Sequence, residues 1–255
     1  MRVTLLGTGT STGIPMIGCS CKTCTSTDPR DKRLRVSALI ETETTTVLID
    51  TSSDFRQQML HANVKKLDAI LFTHHHTDHI SGFDDLRAFH FLRIPVPMCY
   101  ASEETYKAIQ GMFPYAFGLV PNTGGALATT VPFTTIDTTP FTVGDMLIEP
   151  ILLDHGLLEV FGYRIGKFAY LTDCKRIPVA SREKLKGIEV LVIDGLRYTP
   201  HPTHMTIDEA VAASKELGAK ITYLTHMNHD ILHEEAEQKL PPNVRFGWDG
   251  MKLEV

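Results

Sequence analysis

The sequence lacks the features that would place the protein in a membrane, in a disordered state or broadly on nucleic acid. Its 255 residues contain no apolar run of about 18 residues, the length that a membrane-spanning helix needs. Lys and Arg number 25 against 30 Asp and Glu, a formal charge of −5, so we expect no broad nucleic-acid binding. Hydrophobic residues make up 43%, as in ordinary globular proteins. The start, MRVTLLGTGT, has no cleavable apolar segment, which predicts no signal peptide and a cytoplasmic location.

Cysteine is also scarce, with 5 residues, and the odd number argues against a disulfide framework. Three of them, Cys19, Cys21 and Cys24, lie within a stretch of about six residues. Clustered thiols without a secretion signal favour metal binding in a reducing compartment. Histidine, by contrast, occurs 12 times, and one dense run spans positions 74–79. The clustered cysteines and histidines therefore indicate where the chemistry lies.

Short apolar runs typical of strands alternate with helical patterns, and no repeat or linker interrupts them. We therefore predict a single domain, residues 1–255, of the α/β (α+β) class. Strands are predicted at residues 3–7, 36–41, 46–50, 69–73, 97–101, 146–154, within 161–172, 189–194 and 221–225. Helices are predicted at residues 53–62, from 103 onward, at 206–218 and at 230–240. In the third of these, Thr206 and Glu209 form a capping box and Gly218 ends the helix. Residues 113–130 show no clear period, which leaves a connector and a substrate-facing or dimer-facing flap as open alternatives.

The run His74–His79, HHHTDH, follows the buried strand AILFT. Imidazole and carboxylate ligands suit Zn, Mn or Fe. Further candidates, His155, Asp173 and His226, follow other predicted strands. A closed structural zinc site needs only four ligands, so this larger set predicts two metal ions. A solvated histidine-rich loop is the alternative, and the ligands at later strand ends argue against it.

This pattern of HxHxDH followed by a later His, Asp and His resembles the metallo-β-lactamase fold superfamily over nearly the whole chain. The resemblance implies an αββα sandwich with the site at the edge where two sheets meet. It implies one metal at His74, His76 and His155, a second at Asp78, His79 and His226, and Asp173 as the bridge between them. A bridging carboxylate is typical of the phosphodiesterase and hydrolase branches. Neighbouring Cys174 has no family role and is interpreted as a small buried side chain.

The cysteine motif predicts a separate structural zinc site. Three thiolates and one imidazole form a closed tetrahedral set, and His229 is the candidate fourth ligand after Cys19, Cys21 and Cys24. Free thiols beside a surface histidine are the alternative. The motif LLGTGTSTGIPMIGCSCKTC, the TH-x-x-H sequence and the ending FGWDGM (246–251) together resemble PhnP-type phosphodiesterases, which act on cyclic ribose phosphates. PqqB-like proteins share the cysteine motif but match the metal ligands less completely.

The loop His201–Thr206 carries the candidate proton donor. In PhnP-type enzymes and tRNA 3′-processing nucleases a histidine of this loop reaches into the site, and His204 matches it, with His201 as the fallback. A histidine of ordinary pKa can protonate a leaving alkoxide. A helix-capping or surface role is the alternative. The turn Gly7–Gly13 is interpreted either as a plain turn or as a backbone site for phosphate.

The resulting hypothesis is a phosphodiesterase that cleaves small cyclic ribose or nucleotide phosphates through a hydroxide activated by two Zn or Mn ions. Asp78, Asp173 and His204 are its candidate catalytic residues, and Arg87 and Arg197 are candidate phosphate ligands. A tRNA 3′-processing nuclease is one alternative, and the acidic charge argues against it. A non-catalytic zinc protein of the same fold is another, which the complete ligand set opposes. We expect a small phosphodiester partner, no membrane and no nucleic acid, and the resemblance implies a homodimer.

Overall fold

The computed structural model describes residues 1–120 and 131–255, and in them two seven-stranded sheets form the body of the protein. The first sheet contains, in spatial order, β14 (Lys252–Glu254), β1 (Arg2–Gly7), β2 (Ser37–Glu41), β3 (Thr46–Ile49), β4 (Ala69–Leu71), β5 (Met98–Ala101) and β6 (Phe133–Thr135). The second contains β13 (Val244–Phe246), β12 (Ile221–Thr225), β11 (Val190–Asp194), β10 (Phe168–Leu171), β9 (Leu158–Ile165), β8 (Met146–His155) and β7 (Phe141–Val143).

The helices lie on the outer faces of these sheets or in the loops that join the strands. They are α1 (Lys22–Thr25), α2 (Phe55–His61), α3 (Thr77–Ile80), α4 (Arg87–Phe91), α5 (Glu103–Met112), α6 (Val179–Lys184), α7 (Ile207–Leu217) and α8 (His233–Glu237). Short 3-10 turns span Pro29–Asp31, Ser81–Leu86 and Pro114–Phe117. Helix α7 begins at the predicted capping box of Thr206 and Glu209 and ends at Gly218, whose φ of 70° suits glycine.

Three buried apolar clusters establish the layers. Alternate residues of one strand take part in different clusters: Val47 and Ile49 of β3 pack against the second sheet, whereas Leu48 packs toward the helices of the first sheet. A third cluster joins the second sheet to α7 and α8. Strands buried on both faces are continuously apolar, which explains the uninterrupted run at 69–72. The arrangement is the predicted αββα sandwich.

The strand directions bring several chain segments to one edge of the second sheet. Strands β10, β11, β12 and β13 are parallel to one another. Strand β8 is antiparallel to β9, which is antiparallel to β10, so β8 and β10 run the same way. The carboxyl ends of β8, β10, β11 and β12 therefore lie at the same edge, and the loops that leave them are placed together.

Two local expectations differ from the structure. The helix predicted at 230–240 is only α8 (His233–Glu237), because Asn228 and Asp230 form a side-chain turn and the Asp31 carboxylate accepts the His233 backbone N–H. Of the stretch 113–130, the described part begins with the 3-10 turn at Pro114–Phe117, and residues 121–130 lie outside the described residues. Among the helices that the structure describes, none has the length and apolarity needed to span a bilayer.

Candidate metal centre

The histidine run folds as an extended segment that enters a helical turn. His76, the N-cap residue of α3, has an extended backbone, and its ring centroid lies 4.5 Å from that of His74. Asp78 and His79 fall in the first turn of α3. The backbone changes from extended to helical after His76, and His74 and His76 fall in one group of possible metal donors whereas Asp78 and His79 fall in another. This local geometry divides the run into two sets of donors.

Asp173 lies between these donors. It follows β10 and has a φ of 53°, in the left-handed region that few residues other than glycine adopt. Its carboxylate oxygens lie near four imidazole Nε2 atoms: His79 at 3.2 Å, His226 at 3.4 Å, His155 at 3.8 Å and His74 at 3.9 Å. One buried carboxylate thus lies beside four imidazoles from three separate segments of the chain.

The seven predicted donors converge into two adjoining groups, which we call the histidine centre. In the first group one donor atom of each residue lies within 4.8 Å of the others, and its members are His74, His76, His155 and Asp173. The same holds for a second group of Asp78, His79 and His226. The structure therefore brings together every residue that the sequence assigned to the two-metal site.

The buried imidazole atoms that face the centre have no hydrogen-bond partner. The Nε2 atoms of His74, His79 and His226 are buried and unpaired. Burying a polar atom without a hydrogen-bond partner costs about 1–3 kcal/mol of stability. Such atoms therefore indicate a ligand that binds between these side chains. Two of the opposite ring nitrogens are held: His74 Nδ1 lies 3.0 Å from Thr73 Oγ1, and His79 Nδ1 lies 2.7 Å from Asp50 Oδ2, whereas His226 Nδ1 is also unpaired. Oriented imidazoles and carboxylates of this kind fit Zn or Mn.

The electrostatics of the centre favour a cation. Burial lowers the pKa of His79, but the carboxylates around it, Asp173 and Asp50 first, outweigh burial and raise that pKa well above its usual value. Burial also opposes the charge on Asp173, and the nearby imidazoles nevertheless hold its pKa well below the usual range. His226 has a pKa raised to about 9, with burial outweighed by Asp173. Positive charge is thus favoured at His79 and His226, whereas burial lowers the pKa of His74, His76 and His155.

The loop after β11 places His204, and not His201, at the centre. The buried His204 ring stacks on His226 with centroids 4.6 Å apart, and its Nδ1 lies 2.7 Å from Asp194 Oδ2. His201 Nδ1 instead accepts hydrogen bonds from Thr203. The carboxylate of Asp194 fixes the His204 ring and leaves Nε2 as the ring nitrogen on the other side.

The sequence analysis does not predict a role for two residues that support the site, Asp50 and Asp194. Each is wholly buried: Asp50 holds the Nδ1 of His79, and Asp194 holds the Nδ1 of His204. The signal that could have found them was present, because the runs TVLID and EVLVID both end an apolar strand in an aspartate. The same pattern predicts Asp173 as a site residue, because its strand ends in YLTD.

The predicted zinc ligands of the N-terminal loop also lie together, and we call them the thiol cluster. The Sγ atoms of Cys19, Cys21 and Cys24 lie 3.2, 3.6 and 3.7 Å from His229 Nδ1. One donor atom of each of the four lies within 4.8 Å of the others. Met227, between His226 and His229, exchanges backbone hydrogen bonds with Thr8 and Thr10, so one loop joins both sites to the N-terminal turn.

A cleft of about 530 Å³ opens onto the histidine centre. Its described lining residues are Ser11, His76, Asp78, His155, Leu157, Leu158, Asp173, Thr203, His204 and His226. Arg87 and Arg197 are not among them: Arg87 pairs with Asp84 at 3.1 Å, and Arg197 donates to backbone carbonyls of its own loop. A larger cavity of about 720 Å³ lies elsewhere, on the outer side of β1 and β2, and shares no lining residue with the cleft.

Comparison with known proteins agrees with this fold. A model of the β-lactamase superfamily domain matches residues 45–227, which include every residue of the histidine centre. The chain therefore belongs to the β-lactamase superfamily. Within the superfamily, a crystal structure described as a new diphosphatase from the PhnP family is 42% identical, with a TM-score of 0.93 over 100% of this chain and 97% of that one.

Other relatives carry different names. An octanoyltransferase of Porphyromonas gingivalis is 42% identical over 99% of this chain but only 51% of its own length, so the chain spans about half of that relative. Coenzyme PQQ synthesis protein B of a Methylobacterium species is 25% identical over 78% of this chain and 74% of that protein. The short form of human tRNase Z is 17% identical with a TM-score of 0.74 over 100% of this chain and 99% of that one, which shows the shared fold alone.

Proposed function

We propose that the protein is a two-metal hydrolase that cleaves phosphodiester bonds, with small cyclic ribose or nucleotide phosphates as substrates. The observation that carries the proposal is the position of Asp173, whose carboxylate contacts imidazoles of both donor groups. A carboxylate in that position suits a pair of cations better than a single one. The unpaired Nε2 atoms around it support the same interpretation.

In this proposal His74, His76 and His155 would hold one ion, Asp78, His79 and His226 would hold the other, and Asp173 would serve both. When bound, two divalent ions supply positive charge to phosphoryl oxygens and lower the pKa of a water molecule toward neutrality. Zn and Mn are both suited to these ligands. A third ion, a structural Zn, belongs in this proposal to the thiol cluster of Cys19, Cys21, Cys24 and His229.

His204 is the proposed proton donor to the leaving oxygen. Its ring lines the cleft beside His155 and His226, at centroid distances of 4.7 and 4.6 Å. The Asp194 carboxylate holds Nδ1, so the proton that moves is the one at Nε2. His201, which is outside the described lining of the cleft, is the weaker candidate.

Diphosphate diesters are a second candidate substrate class, favoured by the relative described as a diphosphatase. Cleavage of a phosphoanhydride needs the same attack on phosphorus and the same charge stabilisation, so the site suits both classes. Octanoyl transfer is less well supported as an activity of this chain. The chain matches only half of that transferase.

The test is a substrate panel on the purified protein with added Mn²⁺ or Zn²⁺. It contains bis(p-nitrophenyl) phosphate, a ribose cyclic phosphate, a dinucleoside diphosphate, a precursor tRNA and an octanoyl donor. We expect metal-dependent turnover of the small phosphate esters and none of the last two. Absence of phosphate-ester turnover by protein that carries two ions in the histidine centre would contradict the proposal. Light scattering on the same sample tests the homodimer.

A further inference from the structure

The ending FGWDGM, residues 246–251, supplies no donor to either metal site, yet it lies against the strands that lead to them. It joins β13 of the second sheet to β14 of the first. On one side the Gly247 N–H donates to the Leu224 carbonyl of β12 at 2.9 Å. On the other side the Gly250 N–H donates to the Leu5 carbonyl of β1 at 2.7 Å. The ending thus connects β1 and β12 close to the point where the chain leaves β12 toward the histidine centre.

Asp249 of this ending holds two neighbouring segments through its two carboxylate oxygens. Its Oδ1 accepts a hydrogen bond from the Thr8 hydroxyl at 2.8 Å. Its Oδ2 accepts the Leu34 backbone N–H at 2.6 Å. Thr8 is wholly buried in the turn Gly7–Gly13, and the Leu34 carbonyl in turn accepts the Gly9 N–H at 2.8 Å. Both oxygens of Asp249 therefore fix the same turn, one directly and one through Leu34.

Thr8 in turn holds the residue that follows a proposed metal ligand. The Met227 N–H donates to the Thr8 carbonyl at 3.0 Å, and the Met227 carbonyl accepts the Thr10 N–H at 3.0 Å. His226, directly before Met227, has a φ of 60°, a conformation that the surrounding structure must hold. Asp249, Thr8 and Met227 therefore form a continuous row of contacts that ends beside His226.

His226 depends on this backbone support more than other imidazoles of the centre do. Within the described chain, the buried Nδ1 of His226 has no hydrogen-bond partner. Its ring stacks on His204 with centroids 4.6 Å apart, and stacking leaves a ring free to turn in its own plane. Other imidazoles of the centre have a partner at Nδ1, in the pairs His74–Thr73, His79–Asp50 and His155–Thr203. The direction of His226 Nε2 is therefore set by where its backbone is held.

We propose that Asp249 is a positioning residue for His226, and that it strengthens the binding of a divalent cation by the second donor group, to which His226 belongs. It acts through Thr8 and Met227 and contacts neither the cation nor the substrate. The inference rests on the proposed two-metal site and names a residue that keeps one of its imidazoles in place. Loss of a residue that orients a metal ligand lowers metal affinity by roughly 10–100-fold. Because Asp249 acts through two intervening residues, we expect about tenfold.

The test measures Mn²⁺ binding instead of turnover. Mn²⁺ prefers oxygen and nitrogen ligands to thiolates, so it reports on the histidine centre. The protein is first treated with a chelator, and free Mn²⁺ is then counted by electron paramagnetic resonance during a titration. The titration is made at pH 8, because burial raises the pKa of Asp249 to about 7 and the carboxylate should be ionised. We expect Asp249→Ala to weaken the binding of one of two Mn²⁺ ions about tenfold.

Two substitutions of Thr8 isolate the proposed path. Thr8→Val keeps the shape of the side chain but removes the hydroxyl that Asp249 accepts from. It should weaken Mn²⁺ binding as Asp249→Ala does, and it carries the test if Asp249→Ala fails to fold. Thr8→Ser keeps the hydroxyl and should bind Mn²⁺ as the wild type does.

A matched control and a double substitution separate positioning from a general loss of structure. Asp68 Oδ2 also accepts a backbone N–H, that of Thr46 at 2.7 Å, but at the amino end of β4, away from the histidine centre. Asp68→Asn should leave Mn²⁺ binding unchanged. In a His226→Ala protein, Asp249→Ala should cause no further loss, because both substitutions act on the same ion. A general loss of structure would weaken binding in both backgrounds.

The outcomes of this test do not depend on the substrate. The tenfold loss, absent in Thr8→Ser and in the His226→Ala background, supports the inference even if no phosphate ester is cleaved. Wild-type affinity in folded Asp249→Ala or in Thr8→Val would overturn it even if every ester is cleaved. So would equal losses in Thr8→Val and Thr8→Ser, or an equal effect of Asp249→Ala with and without His226. Failure of the wild type to bind a pair of ions would overturn the inference together with the two-metal site.

Discussion

The histidine centre and the thiol cluster share one loop, which carries His226 and His229, but they are built differently. The donors of the histidine centre lie at or beyond the ends of buried strands, and further buried residues such as Asp50 hold their rings. The three thiols of the thiol cluster come from the N-terminal loop and α1, and Cys19 and Cys21 are half-buried. The first site opens onto a cleft, whereas the second offers four donors, enough to close a tetrahedral shell. A position at the edge of a rigid sheet suits a catalytic site, and a closed set of four ligands suits a structural site.

The two regions also differ in backbone conformation. Asp50, Asp173 and His226, which belong to or support the histidine centre, have positive φ values of 62°, 53° and 60°. Each such residue costs about 1 kcal/mol or more, and it persists only where the surrounding structure fixes it. No residue of the thiol cluster is among the non-glycine residues of positive φ in the described chain. Backbone strain thus concentrates where substrate would be handled.

The largest effect is expected for Asp173→Asn, which removes the charge but keeps a residue that tolerates positive φ. We expect kcat/KM to fall by about 10³-fold and metal to be lost from the histidine centre, since both donor groups contact this carboxylate. Metal analysis and kinetics measure both. Exposed Asp145→Asn is the control, and a fully active, fully loaded Asp173→Asn protein would contradict the assignment.

A smaller loss of about 10²-fold in kcat is expected for His204→Ala, with metal content unchanged. The loss should be greater with an alkoxide leaving group than with p-nitrophenolate, because the latter needs little help from a proton donor. His201→Ala serves as the matched control and should change kcat less than threefold. If instead His201→Ala gave the larger loss, the placement of the proton donor would be wrong.

In the thiol cluster, Cys24→Ser should act mainly on stability. Burial raises the pKa of the Cys24 thiol to about 11, so an ion is needed to hold it as a thiolate. We expect one ion fewer per chain and a free energy of unfolding lower by about 3 kcal/mol or more, with activity reduced no more than about tenfold. Buried Cys174→Ala should leave the metal content unchanged. Equal activity losses in Cys24→Ser and Asp173→Asn would remove the distinction between the two regions.

The smallest effect concerns His233, buried near the thiol cluster. Burial, with Arg30 and Arg33, lowers the pKa of His233 to about 4. In the unfolded chain His233 has a pKa near 6.5, so below that pH it binds a proton that the folded protein excludes. The free energy of unfolding is therefore at its full value above about pH 6.5 and falls toward pH 4. At pH 5.5 the loss is about 1 kcal/mol. Urea unfolding at pH 7.5 and 5.5 should show a smaller decrease in the free energy of unfolding for His233→Gln than for wild type. An equal decrease in both proteins would contradict this prediction.

Much of the fold was predictable because burial leaves a periodic trace in the sequence. The strand at 221–225 and the capping box of α7 are confirmed at the predicted residues. The segments that meet at the site were predictable because ligand-type residues such as His226 follow strand ends. Their roles as metal ligands remain proposals.

Other features could not be predicted, because they arise only from contacts between distant segments. The pairing of Asp194 with His204 depends on how the loop after β11 returns to the sheet. The shortened α8 depends on Asp31, about 200 residues away in the chain. The position of Leu157 in the cleft lining could not be predicted either, because no sequence motif indicates that a leucine in a turn is exposed beside a cleft.

Anomalous diffraction from crystals of the zinc-loaded protein, recorded on both sides of the zinc absorption edge, tests the central claim most directly. The account predicts two neighbouring peaks, about 3.5–4 Å apart, that flank the carboxylate of Asp173, and a third among the three thiols and His229. A single peak beside Asp173, or none there with the thiol cluster filled, would contradict it.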